Sequence, residues 1–139
     1  MLADDPEKVE LKQIISSTRV IIAPERFAYL SAERHPNSGN HVMCFSYGDD
    51  KTVVARESRV LEIDHVSIEC WFRLIEFRIP TPFEAPGFLA SIASAVAAEQ
   101  INLLIISTFP RDYVLVRDHD LRRATDALQG LGFTIETIP

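Results

Sequence analysis

The chain has 139 residues, of which 47% are hydrophobic and 24% are charged, a composition that is ordinary for a globular protein and argues against disorder. It carries 20 acidic and 14 basic residues, for a formal net charge of -6. Because neither a basic excess nor a basic stripe is present, the composition disfavours binding to nucleic acid or to an anionic membrane surface.

The beginning of the chain and its two cysteines indicate a cytoplasmic protein. Met1 is followed by neither a basic stretch nor an apolar core, so we expect no secretory signal. The apolar runs are all shorter than the ~20 residues of a membrane span. Cys44 and Cys70 have apolar or aromatic neighbours, and we expect both to be free, buried thiols in a reducing compartment.

The first half of the chain predicts a weakly patterned mixture of strands and helix. The stretches that read as strands are 9–15, 18–22, 41–47 and 51–56. Pro24 can begin a short helix that ends near Arg34, and Gly48-Asp49-Asp50 is typical of a hairpin turn. Residues 57–66 are poorly patterned, so we expect a second helix there to be short or missing.

The second half predicts a clearer order of elements. The predicted strands are 71–79, 103–106, 113–116 and 133–138. The predicted helices are 88–99, and a segment that Asp118 caps and that ends at Gly130 and Gly132. The order β-α-β-β-α-β is that of a ferredoxin-like α+β domain. We therefore expect two tandem units packed side by side, a degenerate one over 1–67 and a regular one over 68–139, with a joint near Ser67.

No arrangement of residues in the sequence is typical of an enzyme active site or a metal site. The histidines are His35, His41, His65 and His119, and none has a partner at metal-ligand spacing. Asp118-His119-Asp120 is interpreted as a helix cap with solvated charges. The glycines form neither a dinucleotide-binding motif nor a phosphate-binding loop. A small enzyme with His41, His65 or His119 as general base remains an alternative that nothing in the spacing favours.

Two segments could form a binding site. Residues 83–87 precede the first helix of the second half, where Gly87 would let a ligand approach the backbone and the helix N-terminus would attract an anion. Residues 107–112 place two hydroxyls, an aromatic ring and the Asp112 carboxylate at the end of a buried strand. Asp112 could hold a cationic group there. On spacing alone, a plain connecting turn and a carboxylate that only caps a hairpin are favoured.

These two segments also carry a resemblance to a known family. Residues 87–92 (Gly-Phe-Leu-Ala-Ser-Ile) and 106–116 (Ile-Ser-Thr-Phe, two variable residues, Asp-Tyr-Val-Leu-Val) resemble the ACT-domain family. More narrowly, they are similar to the tandem-ACT group that includes small ACT proteins and the CASTOR-type cytosolic arginine sensors. The first half is similar more weakly, so that the resemblance covers nearly the whole chain.

The resemblance implies a sensor of amino acids rather than an enzyme. In the arginine sensors the ligand lies between two tandem halves of one chain, whereas this chain has one half, which implies a homodimer with two equivalent sites. One side of the site would offer Gly87, Thr108, Phe109 and Asp112, and the facing side Asn102 and Leu103. Where the arginine sensors have an acidic residue two positions before the glycine, this chain has Ala85, with Glu84 one position earlier.

The sequence thus predicts a non-catalytic, cytoplasmic regulator that has no cofactor. It would hold a small amino acid, cationic or neutral, at a dimer interface. Its output would pass through a partner protein. The alternative is a ligand-free dimerisation or protein-interaction module. If Phe83 or Phe109 packed inward and filled the pocket between Gly87 and Asp112, no ligand could enter it.

Overall fold

The computed structural model describes residues 6–37, 39, 41–81 and 84–137, with side chains from residue 10 onward. The α-helices are α1 (Pro6–Ser17), α2 (Phe88–Ala98) and α3 (Leu121–Leu131). The strands are β1 (Arg19–Ala32), β2 (Met43–Tyr47), β3 (Asp50–Arg56), β4 (His65–Arg78), β5 (Leu104–Ser107), β6 (Asp112–Arg117) and β7 (Thr134–Thr137). Glu57–Glu62 and Asp118–Asp120 form 3-10 turns. The fold is therefore α+β.

The chain divides into two compact units that interleave along the sequence. Unit 1 comprises the residues up to Pro24 and those from Leu74 onward, and unit 2 comprises Glu25–Arg73. Strands β1 and β4 each run through both units. Ser67, near which the sequence analysis places a joint, lies inside β4.

The strands of unit 1 lie in the order β7-β1-β4-β6-β5. β1 and β7 are parallel, from Arg19 opposite Thr134 to Ile22 opposite Thr137, and β5 and β6 form an antiparallel hairpin. From β4 to β7 the elements follow the expected β-α-β-β-α-β order. The beginning of β1 occupies the place between β7 and β4, as its run of buried residues from Val20 to Ile22 suits a strand covered on both faces.

The core of unit 1 is built from α2, α3 and the strands. Along α2, the buried side chains Phe88, Ile92 and Val96 repeat at helical spacing, so that one face of the helix is apolar. The rings of Phe77, Phe88 and Phe133 contact one another edge to face, with centroids 5.3–6.0 Å apart. Burial of each large apolar side chain stabilises the fold by about 1.5–3 kcal/mol.

The strands of unit 2 lie in the order β2-β3-β1-β4. β1 pairs antiparallel with β3, from Phe27 opposite Arg56 to Ser31 opposite Thr52. One face packs into a separate core. Its buried members are Ala28, Leu30, Ala32, Val53, Ala55, Val60 and Ile63. Two of them, Val60 and Ile63, come from the 3-10 turn 57–62 and the residue after it, where the sequence predicts a short or missing helix.

The structure corrects two predicted elements of the first half. Residues 9–15, expected as a strand, belong to α1, because Leu11, Ile14 and Ile15 are spaced so that a helix brings all three to one core. The helix expected from Pro24 to Arg34 is absent, and its residues up to Ala32 extend β1. As a strand, this segment buries Ala28 and Leu30 in the core of unit 2, and it also forms backbone hydrogen bonds with β3.

The elements of the second half agree with the predictions in type and order, apart from their ends. The expectation of a buried strand before residue 107 is wrong, because β5 lies at the end of the strand order and Ile105 is 40% exposed. Of the two cysteines that were expected to be buried, Cys44 is partly exposed and Cys70 is exposed.

Asp118, expected to cap α3, instead begins the 3-10 turn, and Asp120 is the residue before the helix. Ile138, the last residue of the expected final strand, lies outside the described residues, as does Phe83. None of the helices described has the length and apolar character that crossing a membrane requires.

Candidate functional site

The hairpin between β5 and β6 holds three of the predicted site residues. Asp112 lies opposite Ser107 in the register, and the Ser107 hydroxyl donates a hydrogen bond of 2.8 Å to Asp112 Oδ1. Thr108 closes the turn, because its backbone N–H and its hydroxyl both donate to the carbonyl oxygen of Arg111, at 2.9 and 3.0 Å. The turn is therefore fixed by its own polar groups.

Asp112 and Phe109 have opposite environments at this turn. Asp112 is only 7% exposed, although a carboxylate is costly to bury without partners. Phe109 is 82% exposed, so its ring does not pack inward over Asp112. Phe83, the other ring that could fill the expected pocket, lies outside the described residues.

A carboxylate that the sequence analysis did not select joins this turn to the sheet. Glu76 of β4 has a side chain that is 15% exposed, and its Oε1 accepts hydrogen bonds from Arg111 Nη1 at 2.7 Å and Arg78 Nε at 3.0 Å. Because Glu76 lies two residues before the end of β4, the turn sits at the end of β4 from which the chain continues toward α2. No local pattern singles out Glu76, because charged residues are ordinary on the partly solvated face of a strand.

Gly87 and Glu84 lie just before the start of α2. Gly87 precedes the helix with φ 83° and ψ -7°, a left-handed conformation that glycine adopts without steric cost. Its carbonyl oxygen accepts hydrogen bonds from the Ser91 backbone and hydroxyl, both 2.9 Å. A Cβ built on Gly87 would lie 3.6 Å from the Leu11 side chain. Glu84 is exposed in the loop ahead of it.

A groove runs along the surface of α2 beside Gly87. Its volume is about 570 Å³, and Leu11 of α1 and Leu131 of α3 form its apolar walls. Small side chains of α2 line the rest, namely Ala90, Ser91, Ser94 and Ala95. Leu11 was missed as a neighbour of the site because residues 9–15 were predicted as a strand, although their spacing of apolar residues is also helical.

Asn102 and Leu103 lie at the opposite end of β5 from Thr108. Asn102 is exposed, whereas Leu103 is half-buried and packs against the core of unit 1. The strand between them and the turn spans about 10 Å from its first residue to its last. One chain therefore does not bring these two residues together with Thr108 and Asp112.

An exposed ion pair of unit 1 joins Arg19 of β1 to Glu136 of β7. Two guanidinium nitrogens of Arg19 donate to the carboxylate, at 3.2 and 2.9 Å. These hydrogen bonds are the main reason that the pKa of Glu136 lies below its usual range and that of Arg19 above it. Both side chains of the pair are exposed to solvent, so the ion pair links the two neighbouring strands at the surface of the protein.

Across residues 6–37, 39, 41–81 and 84–137, no three or more histidine, cysteine, aspartate or glutamate side chains are placed to hold a metal ion. The chemistry that the turn and the helix start offer is polar recognition. A buried carboxylate can accept hydrogen bonds from a cation, and the first backbone N–H groups of a helix can donate to an anion.

The sequence and the fold have recognisable relatives. Residues 66–130, just under half of the chain, match the family model of the ACT domain. The predicted resemblance to ACT domains is thereby confirmed for this segment, whereas the narrower resemblance to tandem-ACT arginine sensors stays a prediction. No curated protein matches the chain in sequence at a significant level.

Solved structures with low sequence identity share the fold. A protein from Agrobacterium tumefaciens is 22% identical with a TM-score of 0.75, over 88% of this chain and 94% of that one. A Vibrio cholerae protein of unknown function, described as a possible transport protein, is 17% identical with a TM-score of 0.73, over 90% and 98%. The regulatory subunit of aspartate kinase from Thermus flavus is 12% identical with a TM-score of 0.57, over 81% and 95%.

Proposed function

We propose that this protein is a non-catalytic regulatory module that binds a small amino acid. ACT domains are regulatory, ligand-binding modules, as in the regulatory parts of aspartate kinases. The observation that carries the proposal is the buried Asp112 carboxylate at the hairpin turn of the segment that matches the ACT domain. A structural role alone does not require a charged group at a buried position of a turn.

The two ends of an amino acid match the two parts of the site. The ligand carboxylate would accept hydrogen bonds from the backbone at the start of α2, where Gly87 brings no side chain between ligand and helix. The ammonium group, or a cationic side chain, would donate to Asp112. Ser107 occupies one carboxylate oxygen of Asp112, and an ionised carboxylate accepts about four hydrogen bonds, so acceptor capacity remains. Glu84 offers a second negative charge near Gly87.

The complete site requires two copies of the chain in this proposal. Gly87, Thr108, Phe109 and Asp112 belong to one protomer, and Asn102 and Leu103 at the far end of β5 face them from the partner. The exposed ring of Phe109 would then cover the ligand at the interface. The assembly is a homodimer with two equivalent sites, and ligand binding stabilises it by as much as the ligand prefers the paired state.

The signal would leave the dimer through a partner protein, since we assign no catalysis to the chain itself. We assign the cytoplasm as its location, because neither Cys44 nor Cys70 takes part in a disulfide and reduced cysteines persist in reducing compartments.

A second candidate function is an interaction module without a ligand. The specific observation in its favour lies in unit 2, where β2 is at the end of the strand order and exposes Phe45 (52%) and Tyr47 (80%). Exposed aromatic residues on an edge strand are suited to protein contacts. This candidate requires no contribution from Asp112.

The test is a thermal-shift screen against the twenty amino acids at millimolar concentration. A ligand present at a hundred times its Kd stabilises the folded state by ~2.7 kcal/mol. We expect a rise in Tm with one or a few amino acids, and we expect Asp112→Ala to weaken the binding about tenfold to a hundredfold, the loss of one charge-assisted hydrogen bond. Sedimentation of the same samples measures whether the ligand favours the dimer.

Asp126→Ala serves as the matched control, because it removes an exposed carboxylate of α3 in the same unit. It should bind like the parent. If Asp112→Ala folds and binds as tightly as Asp126→Ala, the site is assigned wrongly. A flat response to all twenty amino acids, together with a dimer that Phe45→Ser dissociates, would replace the proposal by the interaction module.

A further inference from the structure

Unit 2 contains a cysteine and a histidine in direct contact. Cys44 of β2 and His35 of the loop after β1 approach each other, with 3.6 Å between Cys44 Sγ and His35 Nδ1. This is within the distance of a hydrogen bond to sulfur. With the imidazole proton on Nε2, the thiol donates to Nδ1, which is the arrangement in which a histidine can take the proton of a cysteine.

A cavity adjoins the imidazole. Its volume is about 240 Å³. Two short segments line it, residues 34–37 after β1 and residues 62–64 before β4. Arg34 is paired with Asp64, and Glu62 with Arg59. Because the charges around the cavity are paired, it favours an uncharged molecule over an ion. A cavity of this size admits a molecule of several heavy atoms beside the imidazole of His35, which in turn contacts Cys44 Sγ.

We propose that Cys44 is a nucleophilic thiol that His35 activates, and that it is a site of covalent modification by small uncharged electrophiles. The proton of Cys44 Sγ passes to His35 Nδ1. The sulfur lone pair then forms a bond to an electrophilic carbon while the bond from that carbon to its leaving group breaks. The leaving group departs with its electron pair, and the imidazolium returns its proton to solvent. No oxidant or reductant takes part.

The chain contains its own comparison, because Cys70 is exposed whereas Cys44 is only partly exposed. If access alone governed reactivity, Cys70 would react first. An imidazole in contact with the thiol can take its proton as the sulfur attacks, so that the nucleophilic thiolate forms at the moment of reaction. We expect such general-base assistance to raise the rate by at least about tenfold.

The experiment is timed alkylation of the full chain with limiting iodoacetamide at neutral pH, with mass spectrometry of the peptides that contain each cysteine. Iodide is the leaving group. We expect Cys44 to be alkylated about tenfold faster than Cys70 in the folded protein and at a similar rate in denaturant. His35→Gln should lower the Cys44 rate to that of Cys70 or below, and His119→Gln, a matched change at an exposed histidine of unit 1, should leave it unchanged.

The proposal is overturned if Cys70 reacts first in the folded parent, or if folded His35→Gln alkylates Cys44 as fast as the parent. Should His35→Gln fail to fold, both of its cysteines will react at their denatured rates. The test then rests on the parent protein alone. The ratio of the Cys44 rate to the Cys70 rate should be about tenfold higher in the folded parent than in denaturant. Neither outcome depends on Asp112 or on an amino-acid ligand.

Discussion

At the scale of single residues, burial decides which polar groups can change the stability of the protein. Tyr29 of β1 is half-buried, and its ring contacts that of Phe72 edge to face with centroids 5.3 Å apart. This burial raises the pKa of the Tyr29 hydroxyl above its usual value of 10.0, because the charged phenolate would lose hydration in the folded chain. The folded state therefore holds the phenol proton more tightly than the unfolded state does.

We expect stability to fall as the pH rises from about 9 to about 11, and Tyr29→Phe to lessen that fall. Above the pKa of the unfolded phenol, the unfolded state loses a proton that the folded state still keeps, so ionisation favours unfolding. The substitution retains the ring contact and removes the ionisable group. Urea unfolding at a series of pH values measures the effect.

Tyr47→Phe is the control, since Tyr47 is 80% exposed and the substitution removes a phenol from the surface rather than from a half-buried position. It should show the same alkaline loss as the parent. Equal slopes for Tyr29→Phe and the parent would contradict the assignment of this loss to Tyr29.

Sequence patterns could select Asp112 as a candidate site residue, but they could not reveal its burial or select Glu76. Asp112 was selected from a pattern of residue types, but its burial depends on the packing of the hairpin against β4, which no local pattern contains. Glu76 was overlooked for a related reason. A glutamate in a strand is ordinary in sequence, and its role becomes evident only when Arg78 and Arg111 both donate to it.

At the scale of elements, helix ends are fixed by single backbone conformations. Gly132 ends α3 with φ 110°, and its N–H donates to the Gln129 carbonyl at 3.0 Å. Gly130, two residues earlier, lies within the helix, and a Cβ there would meet no heavy atom within 4 Å. The same substitution at these two glycines therefore has opposite consequences.

We expect Gly132→Ala to destabilise the protein by about 1–2 kcal/mol, because an alanine Cβ is strained in the left-handed region. Gly130→Ala should stabilise it by up to ~1 kcal/mol, since alanine loses less backbone freedom in a helix than glycine does. Denaturant midpoints of the two variants test the pair. Equal effects of the same sign would refute this account of the helix end.

Element type was predictable where one pattern dominated and failed where two patterns overlapped. The Ala-rich segment of α2 contains only the helical spacing, and it was predicted well. Residues 9–15 fit both a strand and a helix, and the choice between them depends on the core that receives Leu11, Ile14 and Ile15. Residues 24–32 begin with a proline that can open a helix, but pairing with β3 along the sheet outweighs that local preference.

At the scale of the whole molecule, the two units are joined by continuous strands rather than by a linker. β1 and β4 each contribute their two ends to different units. The sequence predicted two units of similar size in tandem, because the apparent repeat gave no sign that the first segment of the chain returns to the sheet of the second half. The parallel pairing of β1 with β7 is a contact between distant residues that local patterns do not encode.

We expect the two units to unfold in one cooperative transition, since loss of either unit frees a strand end of the other. Each unit has its own probe. Trp71, the single tryptophan, packs against the core of unit 2 with the Arg26 guanidinium 4.9 Å from its ring, whereas α1, α2 and α3 lie in unit 1. Tryptophan fluorescence and far-ultraviolet circular dichroism should therefore give coincident urea midpoints. Two separated midpoints would show that the units unfold independently.

The interleaving of the units also sets an order of folding during synthesis. When the ribosome has added Arg73, every residue of unit 2 exists, but unit 1 consists only of α1 and the beginning of β1. Those residues carry Ile15 and Val20, whose neighbours in the core come from the second half of the chain. The earliest part of the nascent chain must therefore remain without its final partners until Thr134 and the rest of β7 emerge, and the unit that begins first is the last to be completed.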